Sequence, residues 1–146
     1  MTKKQIKFEI VTPERVVMRS EVVQVTVPTK EGEITVLSGH IPLVATLQPG
    51  VIEIVKDDGN REVLSLSGGF IEVLREKVVI LADTAEMAEE IDIKKVDEAR
   101  KRAEDSMKEV RHFDKERFAG ISASLAKELA RTSAVKRWKK IKSLEK

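Results

Sequence analysis

The spacing of apolar residues changes period once along this chain, near Asp83, and that change limits the possible folds more than any other feature. Before it, β-branched residues recur at every second position between Pro and Gly. Val23, Val25 and Val27 fall on one face of an extended segment and Gln24 and Thr26 on the other, as a half-buried antiparallel strand requires. After it, Ile93, Val96, Ala99, Ala103, Met107 and Val110 recur at three and four, which is one face of a helix. The chain therefore reads as α+β: an N-terminal antiparallel β-sandwich over residues 1–85, followed by a C-terminal two-helix hairpin over residues 86–146.

The predicted strands are Gln5–Val11, Val16–Arg19, Val22–Val27, Ile34–Leu37, Val44–Leu47, Val51–Lys56, Glu62–Ser67, Phe70–Leu74 and Lys77–Ala82. Asp57-Asp58-Gly59-Asn60 supplies a hairpin turn. Aromatics make up only 3% of the chain, so Val, Ile and Leu must fill the space between two sheets. A sandwich is favoured over a barrel. In the second half, Asp92 is placed to cap the first helix. The pattern loses phase around Arg111–Asp114, and a less regular stripe of Phe118, Ile121, Leu125, Leu129, Val135 and Trp138 marks the second helix. Both stripes are narrow, so the hairpin should be marginal by itself and lean on the sandwich, on a partner, or on each in turn.

Of the 146 residues, 27 are basic and 25 acidic, but the charges are unevenly placed. Residues 125–146 hold eight basic and two acidic groups, a cationic segment suited to an acidic partner. There is no cysteine, which excludes disulfides and thiolate metal sites and fits a reducing, intracellular compartment. Metal chemistry would fall to His40, His112 and carboxylates. The opening residues run straight into alternation without the apolar core of a signal peptide, and nothing approaches a membrane span of about 20 apolar residues.

No catalytic signature is present: the two histidines are far apart in sequence, and there is no nucleophile elbow, phosphate loop or dinucleotide fingerprint. Gly68-Gly69 reads as a bend between strands, and Glu89-Glu90 as helix-start carboxylates rather than an acid/base pair. Gly39-His40-Ile41-Pro42 forms a shaped loop that either satisfies itself or presents side chains to a partner. The run Lys136-Arg137-Trp138-Lys139-Lys140 offers phosphate-binding charge and one stacking ring, which leaves a nucleic-acid-binding module as an alternative.

Several ordered segments together carry a resemblance: Glu31-Gly32-Glu33, Gly39-His40-Ile41-Pro42-Leu43, Gln48-Pro49-Gly50, Leu66-Ser67-Gly68-Gly69-Phe70, and Leu81-Ala82-Asp83-Thr84-Ala85-Glu86 followed by Ile91-Asp92. Over essentially its whole length the chain resembles the epsilon subunit of the bacterial F-type ATP synthase. One departure is Thr35-Val36-Leu37-Ser38, where the family often reads Gly-Ile-x-Pro. The resemblance implies a non-catalytic central-stalk subunit whose sandwich binds the gamma subunit and stands on the c-subunit ring, turning with the rotor during proton-driven ATP synthesis. It implies one copy per complex, a monomer when isolated, no nucleic acid, and a peripheral place on the cytoplasmic face of the bacterial membrane, reached only through partners. Glu31, Glu33 and His40 would belong to the loops facing the c ring.

The resemblance also implies that the hairpin either folds against the sandwich or extends into the catalytic head of alpha and beta subunits, where it blocks ATP hydrolysis. Lys127, Arg131, Lys136 and Arg137 are the basic residues that would face the head. No cofactor is required, but some members bind ATP as a regulatory ligand through Ile/Leu-Asp-x-x-Arg-Ala, a preceding glutamate and two cations of the second helix. Here the motif reads Ile91-Asp92-Ile93-Lys94-Lys95-Val96, so Lys95 stands where the motif has arginine and lacks its planar fork. Glu86, Asp92, Lys95, Lys127 and Arg131 are the candidate ATP contacts. A free-standing ATP sensor is the other alternative.

Overall fold

In the computed structural model, which describes residues 4–110 and 114–145, the alternating half becomes ten strands and the helical half two helices. The strands are β1 (Ile6–Val11), β2 (Val16–Val22), β3 (Gln24–Thr29), β4 (Gly32–Leu37), β5 (Leu43–Leu47), β6 (Gly50–Val55), β7 (Arg61–Leu66), β8 (Gly69–Val73), β9 (Lys77–Ala82) and β10 (Ala85–Met87). A 3-10 turn (Ala88–Glu90) leads into α1 (Ile93–Glu109) and α2 (Lys115–Leu144). His112 and most of the turn expected around Arg111–Asp114 lie outside the described residues.

The strands hydrogen-bond in the order β10-β7-β6-β3-β5-β8-β9-β1-β2, with β4 on β3. β3 meets β5 only at the pair Thr29–Leu47, and there the sheet folds over into two facing layers. Val25, Val27, Ile52, Ile54, Leu64 and Leu66 come from one layer, and Ile6, Phe8, Ile10, Ile71, Val73, Val78 and Ile80 from the other; all are buried. Phe8 is the sole aromatic in this core, which is otherwise filled by aliphatic side chains. Burying each such side chain is worth roughly 1.5–3 kcal/mol as an upper bound.

The turns follow their residues. Asp58 accepts the Asn60 amide at 2.9 Å, and Gly59, at φ +86°, lets the β6–β7 hairpin close. A Cβ at Gly69 would run into the Leu81 carbonyl across β8 and β9, so only glycine allows those strands to approach this closely there.

Three features depart from the sequence reading. β1 pairs with β9 in parallel, so the sandwich is antiparallel except at one seam. The segment Ala85-Glu86-Met87, without a β-branched residue to signal it, pairs with β7 as a short tenth strand that straddles the 85/86 division. The stripe expected along α2 holds in part: Ile121 and Leu125 are half-buried, but full burial of apolar side chains comes only in the second half. Phe118 and Leu129 are 46% and 47% exposed, while Ala130, Ala134, Val135 and Ile141 are buried. The reason is positional: the first half of α2 packs on α1, whereas the second half also lies on β6 and β7.

That contact explains an irregularity in β7, where Val63, Leu64, Ser65 and Leu66 are all buried. Leu64 and Leu66 enter the sandwich core, while Val63 joins Ala88, Ile91, Val96, Ala134, Val135 and Ile141 in a second, smaller core beneath the hairpin. A strand covered on both faces loses its alternation.

Candidate functional site

The chemistry-bearing residues converge on the seam between α2 and the sandwich. Arg131 is held on two sides. Its Nη2 and Nε donate to Glu86 Oε2 on β10 at 3.1 and 3.2 Å, and its Nη1 donates to Glu128 Oε2 at 3.1 Å. Glu128 is buried and lies three residues earlier on the same helix, where the arginine is its charge partner. A carboxylate removed from water needs such a partner. Lys127, a turn earlier on α2, lines an open cleft of about 470 Å³ together with Glu14, Asp83, Glu86 and Glu90.

Of the five candidate ATP contacts, the structure brings Glu86, Lys127 and Arg131 together. Asp92 and Lys95 sit apart, at the start of α1. Asp92 is the N-cap, its Oδ1 accepting the Lys94 and Lys95 amides at 3.0 and 3.4 Å. The Lys95 side chain is exposed and enters no ion pair among the described residues.

Further along the seam, Glu53 on β6 receives two arginines. Arg137 donates to its Oε2 through Nη2 at 2.9 Å and Nε at 3.0 Å, and Arg61 on β7 donates to its Oε1 at 3.2 Å. The Glu53 side chain is only 13% exposed. Lys136 is exposed beside it and lines a second cleft of about 400 Å³ with Glu33, Ser133 and Lys140. Trp138 is half-buried against the hairpin core, which leaves only part of its ring free to stack. Among the described residues, no three or more carboxylates or histidines are grouped to hold a metal ion.

Of the three residues expected in the c-ring-facing loops, Glu33 lies in strand β4 beside the second cleft, whereas Glu31 and His40 lie in loops. Glu31 is exposed in the β3–β4 turn, its amide donating to Thr29 Oγ1 at 3.2 Å. β4 separates that turn from His40, whose Nδ1 lies 2.7 Å from the Ile41 carbonyl. The Gly39 amide bonds the Arg75 carbonyl, fixing the His40 loop against the β8–β9 turn. Around it Leu37, Ile41 and Leu74 are exposed.

Sequence reasoning missed a second apolar surface. Register places Phe70 beside Leu81 and Leu81 beside Val11 on the outer face of the second layer, with Phe70 and Leu81 55% and 56% exposed. A signal was present in the run Val78-Val79-Ile80-Leu81-Ala82, whose lack of alternation marks a strand covered on both sides. Here one side is open. Glu53 and Glu128 were also missed, since nothing local distinguishes them from solvated carboxylates.

No helix among the described residues is long and apolar enough to cross a membrane. The sequence profile described as "ATP synthase, Delta/Epsilon chain, beta-sandwich domain" matches residues 5–88. The ATP synthase epsilon chain of Dichelobacter nodosus is 42% identical over 132 residues, covering 88% of this chain and 92% of that one. That of Priestia megaterium is 48% identical over 101 residues, covering 69% and 75%. Among solved structures, a chain of the Euglena gracilis mitochondrial ATP synthase superposes with a TM-score of 0.78 at 27% identity, covering 90% of this chain and 82% of that one. A chain from the central stalk and c-ring of the Tetrahymena thermophila enzyme shares the fold, with a TM-score of 0.55 at 14% identity over 92% of this chain and 99% of that one. With its sandwich, its two-helix hairpin and these relatives, the chain belongs to the ATP synthase epsilon chain family, as a non-catalytic rotor subunit of the central stalk.

Proposed function

We propose that residues 1–85 attach this subunit to the rotor at the cytoplasmic face of a bacterial membrane, and that residues 86–146 regulate ATP hydrolysis, with one copy in each complex. The observation that carries this reading is the separate core beneath the hairpin. It shares β7 with the sandwich but contains different residues, so the hairpin can leave while the sandwich core stays closed. The exposed face of Val11, Phe70 and Leu81 is the surface for the gamma subunit. Glu31, Glu33 and His40, the last with Leu37 and Ile41 nearby, are assigned to the c-subunit ring. The extended hairpin presents Lys127, Arg131, Lys136 and Arg137 to the alpha and beta subunits of the head, where complementary charge holds it.

The test is reconstitution of the full complex with all four basic residues changed to Gln. Assembly should persist and inhibition of ATP hydrolysis should weaken; full inhibition by the variant would refute the assignment.

We also propose ATP as a regulatory ligand of the folded hairpin, supported by a cleft that Glu86 and Lys127 line together, with Arg131 paired to Glu86 beside it. A ligand that binds only the folded form suppresses extension by no more than its difference in affinity between the two states. Titrating the isolated protein with ATP while following a hairpin-to-sandwich distance checks this, and the absence of a saturable change up to millimolar ATP would end it.

A further inference from the structure

We propose that Glu53 is the sandwich side of a charge latch that holds the hairpin folded, and that Arg61 sets its strength by sharing the same carboxylate. The proposal rests on the regulatory reading above and adds a device to it. Arg137 has one of two alternative partners: Glu53 when the hairpin is folded, or the catalytic head when it is extended. In the folded state both its Nε and Nη2 are taken by Glu53 Oε2, at 3.0 and 2.9 Å, across 84 residues of sequence. Release from Glu53 must therefore precede or accompany any other use of this guanidinium.

The seam is arranged so that release leaves its carboxylates compensated. Glu53 keeps Arg61, which holds its other oxygen from β7 at 3.2 Å. Glu128 travels with α2 and keeps Arg131, its partner on the same helix at 3.1 Å. Glu86, left behind on β10, is already a third exposed and returns to water. Stripping one partner from a buried ion pair is usually strongly unfavourable because a desolvated charge is left alone. Here each carboxylate has a second partner or solvent, so opening avoids that penalty. Arg61 also repels Arg137 and divides the Glu53 charge with it, which weakens the latch below what an unshared pair would give.

The absence of cysteine makes the test direct. Dyes on Lys30→Cys and Ser143→Cys in the otherwise intact chain report the distance between the sandwich and the end of α2. Glu53→Gln should raise the extended population about 2- to 5-fold at low salt, the range of a partly exposed ion pair, and the gain should shrink as salt rises. Arg137→Gln, at an exposed helix position where folding is not at stake, should give a similar change. The two together should give no more than either alone, as coupled partners do. Arg61→Gln should act in the opposite direction and close the hairpin about 2-fold. Additive effects of Glu53→Gln and Arg137→Gln, or opening by Arg61→Gln, would overturn the latch. If the coupling appears in the isolated chain while Glu53→Gln fails to deepen inhibition in the reconstituted enzyme, the latch stands and the regulatory reading falls.

Discussion

The two cores of this molecule use different means to bury apolar surface. The sandwich core draws Ile, Val, Leu and one Phe from both layers and is sealed by strand pairing over nearly every strand. The hairpin core rests on Val63, Ala88, Ile91, Val96, Ala134, Val135 and Ile141, two of them alanines, with charge pairs at its rim. Small side chains let α2 lie close to the sheet but bury little area per residue. Arginine–carboxylate pairs then select the docking position and add only modest energy at a partly exposed rim. The first core suits permanent attachment, and the second suits a contact that is made and broken.

This contrast is broken or sharpened most strongly by Leu64→Ala. The leucine is fully buried in the sandwich, so its loss should cost about 2–5 kcal/mol. A lowered urea midpoint for the strand signal is the expected result. Ala134→Asp places a charge at a fully buried position of the smaller core. It should free the hairpin, seen as faster amide exchange along α2 while the exchange of β1, β8 and β9 stays unchanged. Parallel loss in both regions would mean that the two cores are one cooperative unit. Phe70→Glu alters an exposed outer face, so stability should move by no more than about 0.5 kcal/mol. Affinity for the gamma subunit, measured by calorimetry, should fall about tenfold or more. The smallest effect is expected of Asp92→Ala, which removes the α1 cap for about 1 kcal/mol and should speed exchange in the first turn of α1 only.

The parts of the fold legible in sequence are those set by local period and turn chemistry. Alternation located nine strands to within a few residues, Asp57–Asn60 gave its turn, and Asp92 gave its cap. β10 was not legible, because Ala-Glu-Met owes its extended form to the edge of β7 rather than to its own preference. Two members of the stripe expected on α2, Phe118 and Leu129, are exposed for a similar reason. Which face of a helix is covered depends on what it lies upon, and the α2 residues that share a core with the sheet, Ala134, Val135 and Ile141, all come from its second half. The seam was half legible: Arg131 and Arg137 stood out as basic and the family resemblance singled out Glu86 with Arg131, but Glu53 lies 84 residues from Arg137, beyond any spacing rule.

β10 has a further consequence, for the life of the subunit before assembly. It spans three residues and lies along the outer edge of β7, where unpaired amides and carbonyls would otherwise invite another chain to add a strand. The hairpin begins beyond it, after the 3-10 turn, so detaching the helices leaves Leu64, Ser65 and Leu66 of this edge paired. A subunit whose helices come and go thus carries its own guard against edge-to-edge aggregation, built into the segment that tethers them.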